Sequence, residues 1–242
     1  MSIFHSLIIQ PLYNILVAAY DVIPPHDFGI AIIVTTIIIK LLLLRLSHVQ
    51  IKNQRIMQEL QPQLKDIRER YKDDKQRQAQ EMMALYKKHN TTPVSGCLPL
   101  IVQIVVFIAF YRILLTMTGS EIPVNSADLY SFVPNPGTIT ATFFGIDLSV
   151  PSYGLAVLAA IAQYYQMKMI MAKLPPSSPK PDSDAPDVHD FAESMSRQMV
   201  YIAPVMTLFI GLTFPGGLAL YWLTSTLFMI AQQLVIMKSR NA

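Results

Sequence analysis

Apolar residues fall in long blocks separated by polar stretches. The first block, residues 28–46, holds 13 large apolar side chains among 19 residues. As a helix it spans ~28 Å, about one bilayer hydrocarbon core. Similar blocks at 97–117, 150–171, 199–214 and 218–237 predict four further spans. Pro215-Gly216-Gly217 leaves room only for a tight turn between the last two, which predicts an antiparallel hairpin with Tyr221 and Trp222 at the outer headgroup level.

Between these blocks the pattern changes. Residues 3–19 are apolar but broken by His5, Gln10, Pro11 and Asn14. They fit an amphipathic helix in the outer interface, within an external segment 1–27, a sixth span being the alternative. In residues 47–92, Ile56, Leu60, Leu64 and Ile67 recur at helical spacing, and so do Met82, Leu85 and Tyr86. Lys72-Asp73-Asp74-Lys75 separates the two runs as a polar turn, so a charged helical hairpin is predicted. Pro62 should kink or divide its first arm. Residues 118–149 carry several turn formers and read as a loop, and the proline-rich stretch in 172–198 reads as a flexible linker.

Composition and charge turn this pattern into a topology. With 52% hydrophobic and 14% charged residues, the chain reads as a polytopic all-α membrane protein. No Lys or Arg precedes Lys40, 10 fall within 47–92, and none lies between Arg112 and Lys168. The positive-inside rule then places the N-terminus outside, the 47–92 hairpin, the 172–198 loop and the 238–242 tail in the cytoplasm, and the 118–149 loop outside. The single Cys97 rules out an internal disulfide and reads as a small buried residue. No signal-peptide pattern opens the chain, which reads as mature from near Met1.

Lys40 lies toward the middle of the first span. The apolar residues favour insertion by ~4 to 8 kcal/mol and a central lysine costs ~2.5 to 3.5, so insertion survives it. Lys40 either snorkels to the cytoplasmic interface or faces a polar interior. Leu41 to Leu44 lie in the snorkelling path and favour the interior, whereas Arg45 reads as a cytoplasmic anchor.

The run Asp73-Asp74-Lys75-Gln76-Arg77 through Glu81-Met82-Met83-Ala84-Leu85-Tyr86-Lys87, then Pro93 and Gly96-Cys97-Leu98-Pro99-Leu100-Ile101-Val102-Gln103, resembles the YidC/Oxa1/Alb3 family of membrane protein insertases. Phe214-Pro215-Gly216-Gly217-Leu218 with Tyr221-Trp222 is a second match, and Gln232-Gln233 a minor one. The resemblance implies five transmembrane helices around a hydrophilic groove, open to the cytoplasm and to lipid, with a cytoplasmic helical hairpin between spans one and two. It implies groove positions at Lys40, Thr36, Gln103, Tyr111 and Arg112. Lys40 stands where bacterial members usually have arginine, and lysine lacks the bidentate fork. Arg112 stands where an aromatic residue is more usual; it either adds a second cation or snorkels outward. The large extracytoplasmic domain of some members and the basic C-terminal tail of others are expected to be missing.

The resemblance further implies an inserter and chaperone of newly made membrane proteins in the bacterial cytoplasmic membrane. Its partners would be nascent membrane proteins and the bilayer, with the ribosome and a Sec-type translocon as candidates, and no DNA. Hairpin contacts would run through Arg68, Arg70, Lys72, Lys75 and Arg77, although a charge run also fits a solvated spacer. No cofactor and no metal is expected. An anion transporter or channel using Lys40 and Arg112 is the other reading, but the sequence has no internal repeat. An intramembrane protease would need a nucleophile motif or a metal pair; neither Gly-x-Ser-x-Gly nor His-Glu-x-x-His occurs, and all five histidines lie outside the spans.

Overall fold

The computed structural model describes residues 3–92, 98–116, 119, 121–171 and 188–238. The expected site of Cys97, most of the proline-rich 172–198 linker and the end of the tail lie outside them. The protein is mostly helical. A π-helical turn, His5–Ile9, runs into α1, Gln10–Val22. Then follow α2, Phe28–Leu42; α3, Leu44–Arg70; α4, Lys75–Lys88; α5, Leu98–Thr116; α6, Tyr153–Met171; α7, Val188–Thr213; and α8, Gly216–Lys238.

Asp27 opens α2 as an N-cap: its Oδ1 accepts the Ile30 amide at 3.0 Å, satisfying one of the amides a helix start leaves free. The expected first span does not run straight to residue 46. The chain breaks at Leu43, and α3 leaves α2 at 63°. α3 then continues through Pro62 without division. Leu60 and Leu64 on either side of the proline are both buried against Met82 and Tyr86 of α4, and this shared core holds the helix across the lost hydrogen bond.

Among the described residues, Gly216–Ile236 alone is long and apolar enough to cross a membrane by itself, and α2 with Leu44–Asn53 passes as a bent pair. The apolar stretches Ile101–Thr116 and Val200–Thr213 are shorter. α6 has the length, but Gln163, Gln166 and Lys168 dilute its apolarity. α7 begins eleven residues before the expected fourth span, since no Pro or Gly interrupts the chain from 188 to 203.

Residues 121–148 hold short strands in a region read as loop from the sequence. β1, Glu121–Pro123, pairs antiparallel with β2, Thr138–Thr140, and β3, Thr142–Phe143, with β4, Ile146–Asp147. Ile122 and Ile139 face each other and are fully buried, so even three-residue strands alternate inward and outward. These strands are pinned along α1. The Asn125 amide donates to the Tyr13 hydroxyl at 2.9 Å, the Tyr130 amide to Asn14 Oδ1 at 2.7 Å, and the Thr140 amide to the Tyr20 hydroxyl at 3.1 Å. Asn14 also donates to the Asp128 carbonyl at 2.8 Å. The main core lies here, where Leu16 and Val17 of α1 meet Phe28 and Ile32 of α2, Phe110 of α5 and Leu218 of α8.

Candidate functional site

The turn between α7 and α8 sets the position of everything below it. The Gly216 amide donates to the Val150 carbonyl at 2.8 Å and the Gly217 amide to the Leu148 carbonyl at 3.1 Å. A Cβ on Gly217 would lie 3.2 Å from both Ile32 and Leu114. Glycine therefore lets α8 start flush against α2 and α5, and the next turn of α8 reaches between them.

That turn carries Tyr221, which is 1% exposed. An outer-belt position for it is thus corrected: its ring stacks on Phe110 at 4.4 Å and its hydroxyl points to Gln103. Phenol buried this deeply needs a partner, and the Gln103 amide supplies it, Nε2 donating at 2.9 Å. Gln103 Oε1 in turn accepts from Lys40 Nζ at 3.1 Å and from the Ser225 hydroxyl at 3.4 Å. One amide of α5 thereby ties α2 to α8.

The notch around this network is lined by Thr36, Lys40 and Leu43 from the α2 side, Val102 and Gln103 from α5, and Tyr221 from α8. It has room for about one water molecule, far narrower than a groove holding a peptide. Thr36 is buried and turns its hydroxyl back to the Ile32 carbonyl at 2.6 Å. Toward the strand-bearing end lie the Phe110–Tyr221 stack and the packing of Ile32 and Leu114 around Gly217, all apolar.

Lys40, Thr36 and Gln103 are thus brought together, whereas Tyr111 and Arg112 are not part of the notch. Tyr111 stacks parallel on Phe107 at 6.3 Å and meets Phe214 edge-on at 5.3 Å. Arg112 is exposed. Tyr221 and Ser225 are the residues that sequence reasoning missed.

α8 has a second polar row. Residues 221 and 225 share one helix face and 222 and 226 the next, about 100° around. Trp222 Nε1 donates to Gln163 Oε1 at 3.1 Å, and the Thr226 hydroxyl donates to the same oxygen at 3.3 Å. Trp222 therefore also points into the bundle and not out to a headgroup. A glutamine on either side, Gln103 of α5 and Gln163 of α6, clamps α8. Both lie inside blocks read as spans, and that placement was the available signal.

At the other end, Gln78 Nε2 donates to the Arg68 carbonyl at 3.1 Å and joins α4 to α3. The Arg77 guanidinium lies 5.3 Å over the Tyr71 ring. Arg70, Lys72, Lys75 and Arg77 are exposed and Arg68 half-buried. All five fall in the last turn of α3, the connecting turn and the first turn of α4, so they gather at the hairpin tip.

Residues 19–242 match the family model described as 60Kd inner membrane protein. The chain belongs to this family. Its relatives include the "Membrane protein insertase YidC" of Rickettsia akari (strain Hartford), 35% identical over 221 residues, which covers 88% of this chain and 36% of the relative. The protein of the same description from Geobacter metallireducens is 32% identical over 234 residues, 97% of this chain and 37% of that one. The chain therefore spans little more than a third of the length of these relatives. The family match starts at Ala19, near the end of α1, so the polar clamps of Tyr13 and Asn14 precede it while the Lys40–Gln103–Tyr221 network lies wholly within it.

Proposed function

We propose that this chain acts as a membrane protein insertase of the bacterial inner membrane, using the Lys40 notch to draw polar, acidic segments of newly made membrane proteins across the bilayer. The observation that carries this reading is Lys40 Nζ, whose hydrogen-bond partner among the described residues is a neutral amide, Gln103 Oε1, inside the bundle. A carboxylate arriving from a substrate makes a stronger, charge-assisted bond with the ammonium and displaces that amide. Moving a polar segment through hydrocarbon is costly because its backbone groups lose water without gaining partners. A cation and a water site part-way across shorten the dry distance. Positioning and electrostatics suffice for this work, and no covalent bond is made or broken.

The proposed topology has five spans, with the N-terminus outside and the C-terminus in the cytoplasm. The loop's clamps along α1 support an interfacial position for that helix. They run from Tyr13 to Tyr20, ~10 Å of helix axis, so α1 runs beside the external strands and not away from them. Apolar packing lies between the notch and those strands, and the bend at Leu43 lies toward the hairpin, which supports a groove closed toward the outside and open to the cytoplasm. The basic hairpin tip is the proposed contact for a ribosome or a translocon, and nascent membrane proteins and lipid are the proposed partners of the spans.

Protease protection of a substrate with an acidic translocated segment, after reconstitution into vesicles, tests the reading. Lys40→Arg is expected to keep protection and Lys40→Ala to reduce it. Equal protection by wild type and Lys40→Ala would remove the charge role.

A further inference from the structure

The register of β3 and β4 pairs Phe143 with Ile146 and leaves Phe144-Gly145 as a two-residue hairpin loop. Both loop residues have positive φ, 46° at Phe144 and 85° at Gly145, the signature of a type I′ turn. The first position of such a turn favours Asn, Asp or Gly, because a side chain with a bulky Cβ substituent is strained in the left-handed region. A phenylalanine there is unfavourable for the turn, and its ring meets Phe143 edge-on at 5.0 Å yet stays 76% exposed. The chain thus bears a backbone cost and an exposed aromatic ring at one residue.

The turn is also held at a defined level. Asp27, the N-cap of α2, accepts the Phe144 amide through Oδ2 at 2.8 Å while its Oδ1 caps α2. Phe143 sits on Gly29, where any Cβ would overlap its ring. The hairpin tip is therefore fixed to the first turn of the helix that carries Lys40. Around it the exposed apolar residues Ile146, Val150 and Tyr153 continue the surface toward the start of α6. Residues 118–149 contain three acids and no base, so attraction to anionic headgroups cannot hold this region at a bilayer.

We infer that the Phe144 ring inserts into the outer leaflet of the lipid bilayer, as an apolar anchor that fixes the outer end of α2. This rests on the membrane placement proposed above. A phenylalanine ring at the outer end of a span has no polar tip and is favoured at the boundary between headgroups and acyl chains, where apolar surface leaves water. Lipid then covers the apolar surface that makes this residue unfavourable in water, and the rigid link through Asp27 transmits the anchorage to α2.

Phe144→Trp in a Trp222→Phe background, reconstituted into phosphatidylcholine vesicles with brominated acyl chains, tests this. The new tryptophan is expected to emit at shorter wavelength than tryptophan in water, to be quenched by the bromolipid and to be shielded from acrylamide. Ile161→Trp in the same background, on the exposed face of α6, reports on membrane placement itself. Quenching at 161 with an acrylamide-accessible tryptophan at 144 overturns the anchor alone. Blue-shifted emission at 144 without bromolipid quenching also overturns it, by showing a protein cover. Lack of bromolipid quenching at both positions overturns the membrane placement together with the anchor.

Discussion

Gln103 Nε2 donates to the Tyr221 hydroxyl at 2.9 Å across the boundary between α5 and α8. The other end of the same amide holds Lys40, so the lysine's position depends on a residue more than a hundred positions later in the chain.

Removing that amide takes from the buried Tyr221 phenol, the Ser225 hydroxyl and Lys40 the partner they share. Gln103→Leu is expected to destabilise the protein by about 1 to 3 kcal/mol, read from thermal unfolding in detergent. Gln103→Glu keeps the shape but pairs Lys40 with a resident carboxylate. It is expected to lower protection of acidic translocated segments while leaving neutral ones nearly unaffected, checked in the same protease assay.

α6 and α7 pack backbone to backbone at Gly211, where a Cβ would come within 2.7 Å of Ala156 Cβ and 2.9 Å of its Cα. Gly211→Ala should force the helices apart and cost about 1 to 3 kcal/mol. A fall in unfolding temperature checks it, and Ala156→Gly in the same chain should restore part of the loss.

The hairpin has its own small core. Leu64→Ala is expected to cost about 2 to 5 kcal/mol of local stability, seen as faster amide hydrogen exchange in α4 and the end of α3 with α8 unchanged.

Burial raises the phenol of Tyr86 above its ordinary 10.0, with the nearby Arg68 charge partly opposing. A folded-state value above the unfolded one gives stability that is present below pH ~10 and lost as pH rises through the folded value. The hairpin should therefore loosen in strong alkali, and Tyr86→Phe should flatten that decline in a circular-dichroism titration.

What the sequence made legible was the set of helices and the oddity of Lys40, because long apolar blocks and an isolated charge are local signals. The partners of Lys40 were less so. Gln103 lay inside a recognised motif, but Tyr221 and Trp222 fitted an aromatic belt equally well, and only the close approach at Gly217 turns them inward. Pro62 does not divide α3 for a related reason: the cost of a proline is local, while the Leu60 and Leu64 packing that offsets it comes from α4. The strands of 121–147 are too short for periodicity to register, and are held by the side chains of α1.

Leu43 is both the break between α2 and α3 and part of the wall of the Lys40 notch. The 27 residues of α3 make an arm ~40 Å long. A deflection of ~10 Å at the basic tip turns such an arm by only ~14°, a range that hinge motions commonly cover. The fulcrum of that lever lies in the wall of the notch, so a large partner leaning on the hairpin would work the site mechanically without touching it.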